Sequence, residues 1–303
     1  MGGAFERAES CARDSLIIVS FSPSRVLALA VLVSALGYGT VARADDGAQS
    51  RETRTTKFAF QHKRFMFSRQ GPGSIAYVPR TAASDKPLPI VVFLHGLNVE
   101  EKENPEFDQT PLDPRVVADD LIAEGKTRPF ILAAPTHSRY ARGTRVMWHD
   151  FDLQAFIDAT EQALGGRAHV DRDNIVLVGH SGGGCNPTGG LLAPNMKLKA
   201  ALAIDTCLDD KSMPALLGLA DTTKVFFGYQ RSVWQRPFDE FAGACAAKGS
   251  NCKAQEFSGF HRNPHREVLR AALSAFLPEV LPPKAAQPSS VSLASSPVLP
   301  PKA

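Results

Sequence analysis

Hydrophobic positions along the chain fall into short uninterrupted runs, separated by stretches where they recur every three or four residues. Ser74–Val78, Ile90–Leu94, Phe130–Ala134, Ile175–Val178, Ala200–Ile204 and Lys224–Phe227 read as strands. Ile90–Leu94 and Ile175–Val178 are wholly apolar, as strands covered on both faces require. Ala254–Phe257 is a weaker strand. Arg115–Glu124 carries apolar residues at 116, 117, 121 and 122 and stops at Gly125. Phe151–Leu164 repeats the spacing and closes on Gly165-Gly166, and Arg266–Leu277 repeats it up to Pro278. These three segments read as helices. Strands alternating with helices predict an α/β fold, with a mostly parallel sheet, helices on both faces and right-handed crossovers. Ligands gather at the carboxyl ends of such strands. The residues that follow each strand are therefore where chemistry is expected.

The two ends of the chain follow other patterns. Arg7, Arg13 and Arg25 precede the apolar run Val26–Leu36, and Ala42-Arg43-Ala44 and Asp45-Asp46 follow it. This is the order of a signal peptide cleaved near Ala44. The run is too short for a bilayer, which takes about 20 residues. An uncleaved anchor is the competing reading. The expected division is a signal peptide at 1–44, a flexible lead at 45–56, one folded domain at 57–281 and a tail at 282–303. The tail is rich in Pro, Ser and Ala and has no aromatic residue to bury, so it is expected to be disordered. The mature protein is expected in the periplasm or outside the cell, with no stable membrane span.

Composition adds exclusions. Hydrophobic residues make up 44% of the chain and charged residues 21%, which excludes a wholly disordered chain and a polytopic membrane protein. Lys plus Arg number 34 against 31 Asp plus Glu, a net charge of +3 with no basic stripe, so no nucleic-acid partner is expected. Export makes Cys185, Cys207, Cys245 and Cys252 candidates for two disulfides, with three possible pairings. Closeness in sequence pairs Cys245 with Cys252 and leaves Cys185 with Cys207. Free buried thiols are the alternative.

Directly after Val178 stands Gly179-His180-Ser181-Gly182-Gly183-Gly184, a G-x-S-x-G pattern between a buried strand and an expected helix. A serine on so sharp a turn needs neighbours without side chains, because the backbone there is strained and crowded. The turn lifts the hydroxyl above the sheet edge, and a following helix N-terminus favours a developing negative charge. The competing reading is a glycine-rich turn with an idle serine. After Leu94 comes His95-Gly96-Leu97-Asn98, where Gly96 allows close backbone approach. His95 reads as a structural histidine bracing this loop.

The segments Ile90–Asn98 (IVVFLHGLN) and Asp173–Gly184 (DNIVLVGHSGGG), with Tyr77-Val78-Pro79 upstream, resemble the α/β-hydrolase superfamily over about residues 65–280. The likeness is to secreted serine esterases of the feruloyl-esterase and polyester-depolymerase type. It implies Ser181 as nucleophile, an oxyanion hole from the N–H groups of Leu97 and Gly182, and a histidine after the last strand. His261 stands at the matching place. The alternative, His265, follows Pro264 and falls in the first turn of a helix, where a cationic imidazole is disfavoured. The family's usual place for the acid, after the penultimate strand, holds none between Gly228 and Trp234. Asp205, at the end of the preceding strand, is taken instead, with Asp239 second. A Cys185–Cys207 bridge would brace the loops of Ser181 and Asp205.

The resemblance implies an exported carboxylic-ester hydrolase working through an acyl-enzyme, on a small-molecule or polymeric ester. No metal or organic cofactor is expected, since Pro264 interrupts the H-x3-H of His261 and His265 and no third ligand is evident. The short interval 206–223 leaves no room for a large lid. Trp148 and Trp234 either flank the open site or belong to the core. A serine peptidase, an acyltransferase, or a non-catalytic binding protein on the same scaffold are the alternatives.

Overall fold

The computed structural model describes residues 50–60, 73–80, 86–97, 104, 106–107, 113–136, 147–230, 238–258 and 265–280, with the side chains of His265 and of 275–280 left out. All of them belong to the second of the two units into which the chain divides, Ser50–Ala303. The segments expected to be a signal peptide (1–44) and a disordered tail (282–303) therefore lie outside the described residues.

Among the described residues, eight strands form one sheet: β1 (Thr55–Phe58), β2 (Ser74–Tyr77), β3 (Leu88–Leu94), β4 (Ile131–Ala134), β5 (Val170–His180), β6 (Ala200–Ile204), β7 (Lys224–Tyr229) and β8 (Cys252–Glu256). Their order is β1-β2-β4-β3-β5-β6-β7-β8. The β1–β2 and β2–β4 pairs are antiparallel, and every pair from β4 to β8 is parallel. The helices are α1 (Pro114–Ala123), α2 (Leu153–Leu164), α3 (Ser212–Leu219), α4 (Phe238–Ala247) and α5 (His265–Val280). This order, with parallel strands wound outward from β3 and β5, is the α/β-hydrolase arrangement that the sequence implied. No large insertion stands between β6 and β7, only α3.

Alternation along the buried strands divides the core between the two faces of the sheet. In register across it, Ala133, Val92, Leu177, Ala201 and Val225 point to one face, and Leu132, Val91, Val176 and Ala200 to the other. The first face is covered by Leu153, Phe156 and Ile157 of α2, Leu216 of α3 and Phe238 and Phe241 of α4. The second is covered by Val117, Ala118 and Leu121 of α1 and Val268, Leu269, Ala272 and Leu273 of α5. Each Val, Leu, Ile or Phe among them contributes about 1.5–3 kcal/mol when fully buried, so these two layers dominate the fold's stability. α2 starts where the Asp152 carboxylate accepts from the Ala155 N–H (2.9 Å), and it ends at Gly165 in the left-handed region (φ 59°).

Three segments depart from the sequence reading. Residues 50–56, expected within a flexible lead, form a helical turn and the start of β1. The cause is a partly buried polar network. Arg54 forks onto the Asp119 carboxylate of α1 at 3.0 and 3.1 Å and lies 4.9 Å over the Tyr77 ring, while Arg115 donates to Glu52 (3.2 Å) and Thr55 (3.0 Å). Tyr77 also donates to Asp119 at 2.6 Å; burial first, and this bond second, push its hydroxyl pKa well up, so it stays protonated. α3 falls in the interval 206–223, to which the sequence reading gave no element; it carries Pro214 in its first turn, where no N–H is needed, and Gly218 near its end. Finally, the helix expected after Ser181 is one 3-10 turn, Ser181–Gly184. Three consecutive glycines disfavour a helix and Pro187 cannot donate the next bond.

Both disulfides are those that sequence proximity picked. Cys185–Cys207 joins the segments after β5 and β6 (Cα–Cα 4.8 Å), and Cys245–Cys252 joins α4 to β8 (Cα–Cα 5.2 Å). Among the described residues no helix is long and apolar enough to cross a membrane. Closing the short Cys245–Cys252 loop stabilises by about 2–3 kcal/mol on chain-entropy grounds. The Cys245→Ser/Cys252→Ser double variant is therefore expected to lose about that much in urea denaturation while retaining the native fold.

Candidate active site

β3, β5 and β6 end side by side, and their carboxyl ends converge on Ser181. This serine has φ of 47°, in the left-handed region that a side chain other than glycine's rarely occupies. Its neighbours explain how the turn is held. A Cβ on Gly183 would lie 2.3 Å from the carbonyl oxygen of Leu94, so the backbone of the turn rests directly on the end of β3. A Cβ on Gly96 would lie 2.8 Å from Ser181 Cβ and 3.2 Å from its Oγ. The β3 loop thus reaches the serine as bare backbone. Ser181 is half-buried, and Leu97 beside it is the one large hydrophobic residue exposed among the described residues, at 43%.

The loop after β3 is braced from below. His95 is buried and its Nδ1 lies 2.7 Å from the Gly96 carbonyl; a carbonyl only accepts, so Nδ1 carries the proton. The indole N–H of Trp148 donates to the His95 carbonyl at 3.0 Å, and the two rings meet edge to face at 5.0 Å. Trp148 is wholly buried and so belongs to the core rather than to the rim of a site. Trp234 lies outside the described residues. Behind the 3-10 turn, Asn186 donates to the Met147 carbonyl (2.9 Å), and Gly189 lies against the Trp148 backbone.

Asp205 directly follows β6 and, like Ser181, has a left-handed backbone (φ 49°). Its carboxylate is buried at 1% exposure. The Gln230 side-chain amide donates to Oδ2 at 3.1 Å, the Gln230 N–H donates to Oδ1 at 3.4 Å, and the Asp205 N–H donates to the Gly228 carbonyl at 2.7 Å. The segment after β7, which lacks an acid of its own, thus holds the acid of the neighbouring strand. Asp239 is exposed in the first turn of α4. His261 lies outside the described residues, and His265 is the first residue of α5, in the helical turn expected of it.

One pair was missed in the sequence. Glu106 is 8% exposed and His180, the residue before Ser181, 5%. Glu106 Oε1 lies 3.2 Å from His180 Nδ1 and accepts from the Gly96 N–H at 3.2 Å. Glu106 falls in the polar stretch Glu100–Glu106, which has no hydrophobic periodicity to mark one buried member.

No protein-family model matches the sequence, and no curated protein matches it. Solved structures similar to it include a ferulic acid esterase, with 17% identity over 69% of this chain and 90% of that one and a TM-score of 0.49. A feruloyl esterase module from Clostridium thermocellum, complexed with sinapinate, has 12% identity over 75% of this chain and 94% of that one, with a TM-score of 0.47. The enterobactin esterase of Shigella flexneri has 16% identity over 67% of this chain, with a TM-score of 0.45; the alignment spans 54% of that protein.

Gly183→Ala places a methyl group against a backbone carbonyl that cannot move aside, and it is expected to destabilise by about 1–3 kcal/mol in urea denaturation. Gly218→Ala, exposed in α3 with nothing within 4 Å of the new Cβ, is expected to stabilise by about 0.5–1 kcal/mol.

Proposed function

We propose that the protein is an exported serine hydrolase that cleaves carboxylic esters. The observation that carries this reading is the conformation of Ser181: a non-glycine residue held left-handed on a glycine-lined turn, with its hydroxyl against the bare backbone of the β3 loop. Such strain, of order 1–3 kcal/mol, persists where the surrounding structure imposes it, and functional sites are where it clusters. An idle serine on a flexible turn has no need of it.

In this reading Ser181 Oγ attacks the ester carbonyl as His261 takes its proton. The Leu97 and Gly182 N–H groups receive the oxyanion. The Gly96 N–H is occupied by Glu106, which leaves the donor role in that loop to its neighbour. His261 then returns the proton to the leaving alcohol, and water, activated by the same imidazole, attacks the acyl-enzyme and frees Ser181. Asp205 orients and balances the imidazole. Its burial and its two bonds from Gln230 favour it over exposed Asp239, and His261 keeps precedence over His265 on position in the chain. With Leu97 exposed beside the serine, the site takes an ester whose acyl group presents apolar surface, small or polymeric. The two disulfides fit an oxidising compartment; the signal peptide at 1–44 supplies the route there.

The test is hydrolysis of p-nitrophenyl esters. Ser181→Ala is expected to abolish it, Asp205→Asn to lower kcat by about 10³–10⁴-fold, and Asp239→Asn to leave it unchanged. His261→Ala is expected to be inactive and His265→Ala active. The kcat/KM of the wild type is expected to rise with pH as the base loses its proton, because the imidazole must be neutral to accept the serine proton. Full activity in either Ser181→Ala or His261→Ala contradicts the assignment.

A further inference from the structure

We infer that Glu106 is a positioning residue for the oxyanion-binding loop, tying that loop to the turn that carries Ser181; the inference rests on the hydrolase reading above. One carboxylate oxygen, Oε1, contacts two elements at once. It accepts the N–H of Gly96, next to Leu97, at 3.2 Å. It also lies 3.2 Å from Nδ1 of His180, next to Ser181. An ionised carboxylate only accepts, so His180 Nδ1 carries the proton and donates it. Glu106 thus sets the distance between the N–H group proposed to receive the oxyanion and the hydroxyl proposed to attack.

Glu106 is itself held. The next residue, Phe107, is buried against Phe93 at 6.0 Å, donates its N–H to the Asn104 carbonyl (2.9 Å) and accepts from Arg115 Nη2 (2.9 Å). Asn104 in turn donates to the Gly73 carbonyl. The carboxylate is therefore fixed from its own backbone and does not follow the loop it contacts.

The pair is not explained by stability. Oε2 of Glu106 is buried with no hydrogen-bond partner among the described residues. A buried polar oxygen left so costs free energy that an apolar side chain of similar size would not. A fold selected for stability alone has no use for this arrangement, whereas a site that must hold a backbone donor in a fixed place does.

The experiment compares Glu106→Ala and Glu106→Gln with the wild type in kcat, KM, the fraction of reactive serine titrated by a fluorophosphonate, and hydrogen exchange at Gly96 and Leu97. The Gln side chain keeps an oxygen that accepts from both Gly96 and His180, so it is the conservative rescue. Glu106→Ala is expected to lower kcat by about 10–100-fold, less than the complete loss of an oxyanion donor, with KM within about twofold and faster exchange at Gly96 and Leu97. Glu106→Gln is expected to keep kcat within about threefold of the wild type. Unchanged kcat in folded Glu106→Ala overturns the inference, and so does a loss that disappears when rates are expressed per titrated serine. If the wild type hydrolyses no ester, the hydrolase reading fails on its own. Exchange then decides whether Glu106 fixes the loop: acceleration in Glu106→Ala alone supports it and equal rates overturn it.

Discussion

The site depends on the contact of one backbone with another. The glycine turn after β5 sits on the carbonyl end of β3 so closely that a single methyl group at Gly183 would overlap Leu94 O at 2.3 Å. Gly96 makes the reciprocal approach, leaving no side chain between the β3 loop and Ser181. Packed interiors do not yield to an added atom, so these two glycines fix the height of the serine above the sheet. The parallel register from β4 to β8 matters because it brings the ends of β3, β5 and β6 level, where the contact can form.

Around that contact the structure tightens in two ways. Ser181 and Asp205 each occupy the left-handed region at the ends of adjacent strands, and the Cys185–Cys207 bridge ties together the segments that follow them. Beneath the β3 loop, His95, Trp148, Glu106 and His180 form a buried polar layer whose bonds run to backbone groups of residues 95 and 96 as well as to each other. Such a layer strengthens electrostatic contacts by excluding water. It also fixes the tautomers of two histidines whose proximity to Ser181 would otherwise make them rivals for the role of base.

Much of this was legible in the sequence, for identifiable reasons. The central strands are apolar at every position because both faces are covered, and a strand open to water on one face would alternate instead. The glycines at 179, 182 and 183 by themselves announce a crowded turn. What stayed hidden depended on tertiary partners. β1 and the turn before it look polar because their anchors are Arg54 on Asp119 and Arg115 on Glu52, pairs that no local window contains. Glu106 is one acidic residue in a charged run, and only the fold buries it beside His180. α3 went unread between Ile204 and Lys224, although its Pro214 stands where a helix tolerates proline. The expected helix after Ser181 failed where Gly182-Gly183-Gly184 and Pro187 outweighed the precedent of the motif.

The central claim is that Ser181 is lifted, strained and reactive, and the most direct measurement is covalent labelling. Folded wild-type protein treated with a fluorophosphonate is expected to gain one adduct in intact mass. Peptide mapping should place that adduct on Ser181, and Ser181→Ala should gain none. A folded wild type that takes up no label, or one whose label maps to another residue, contradicts the account.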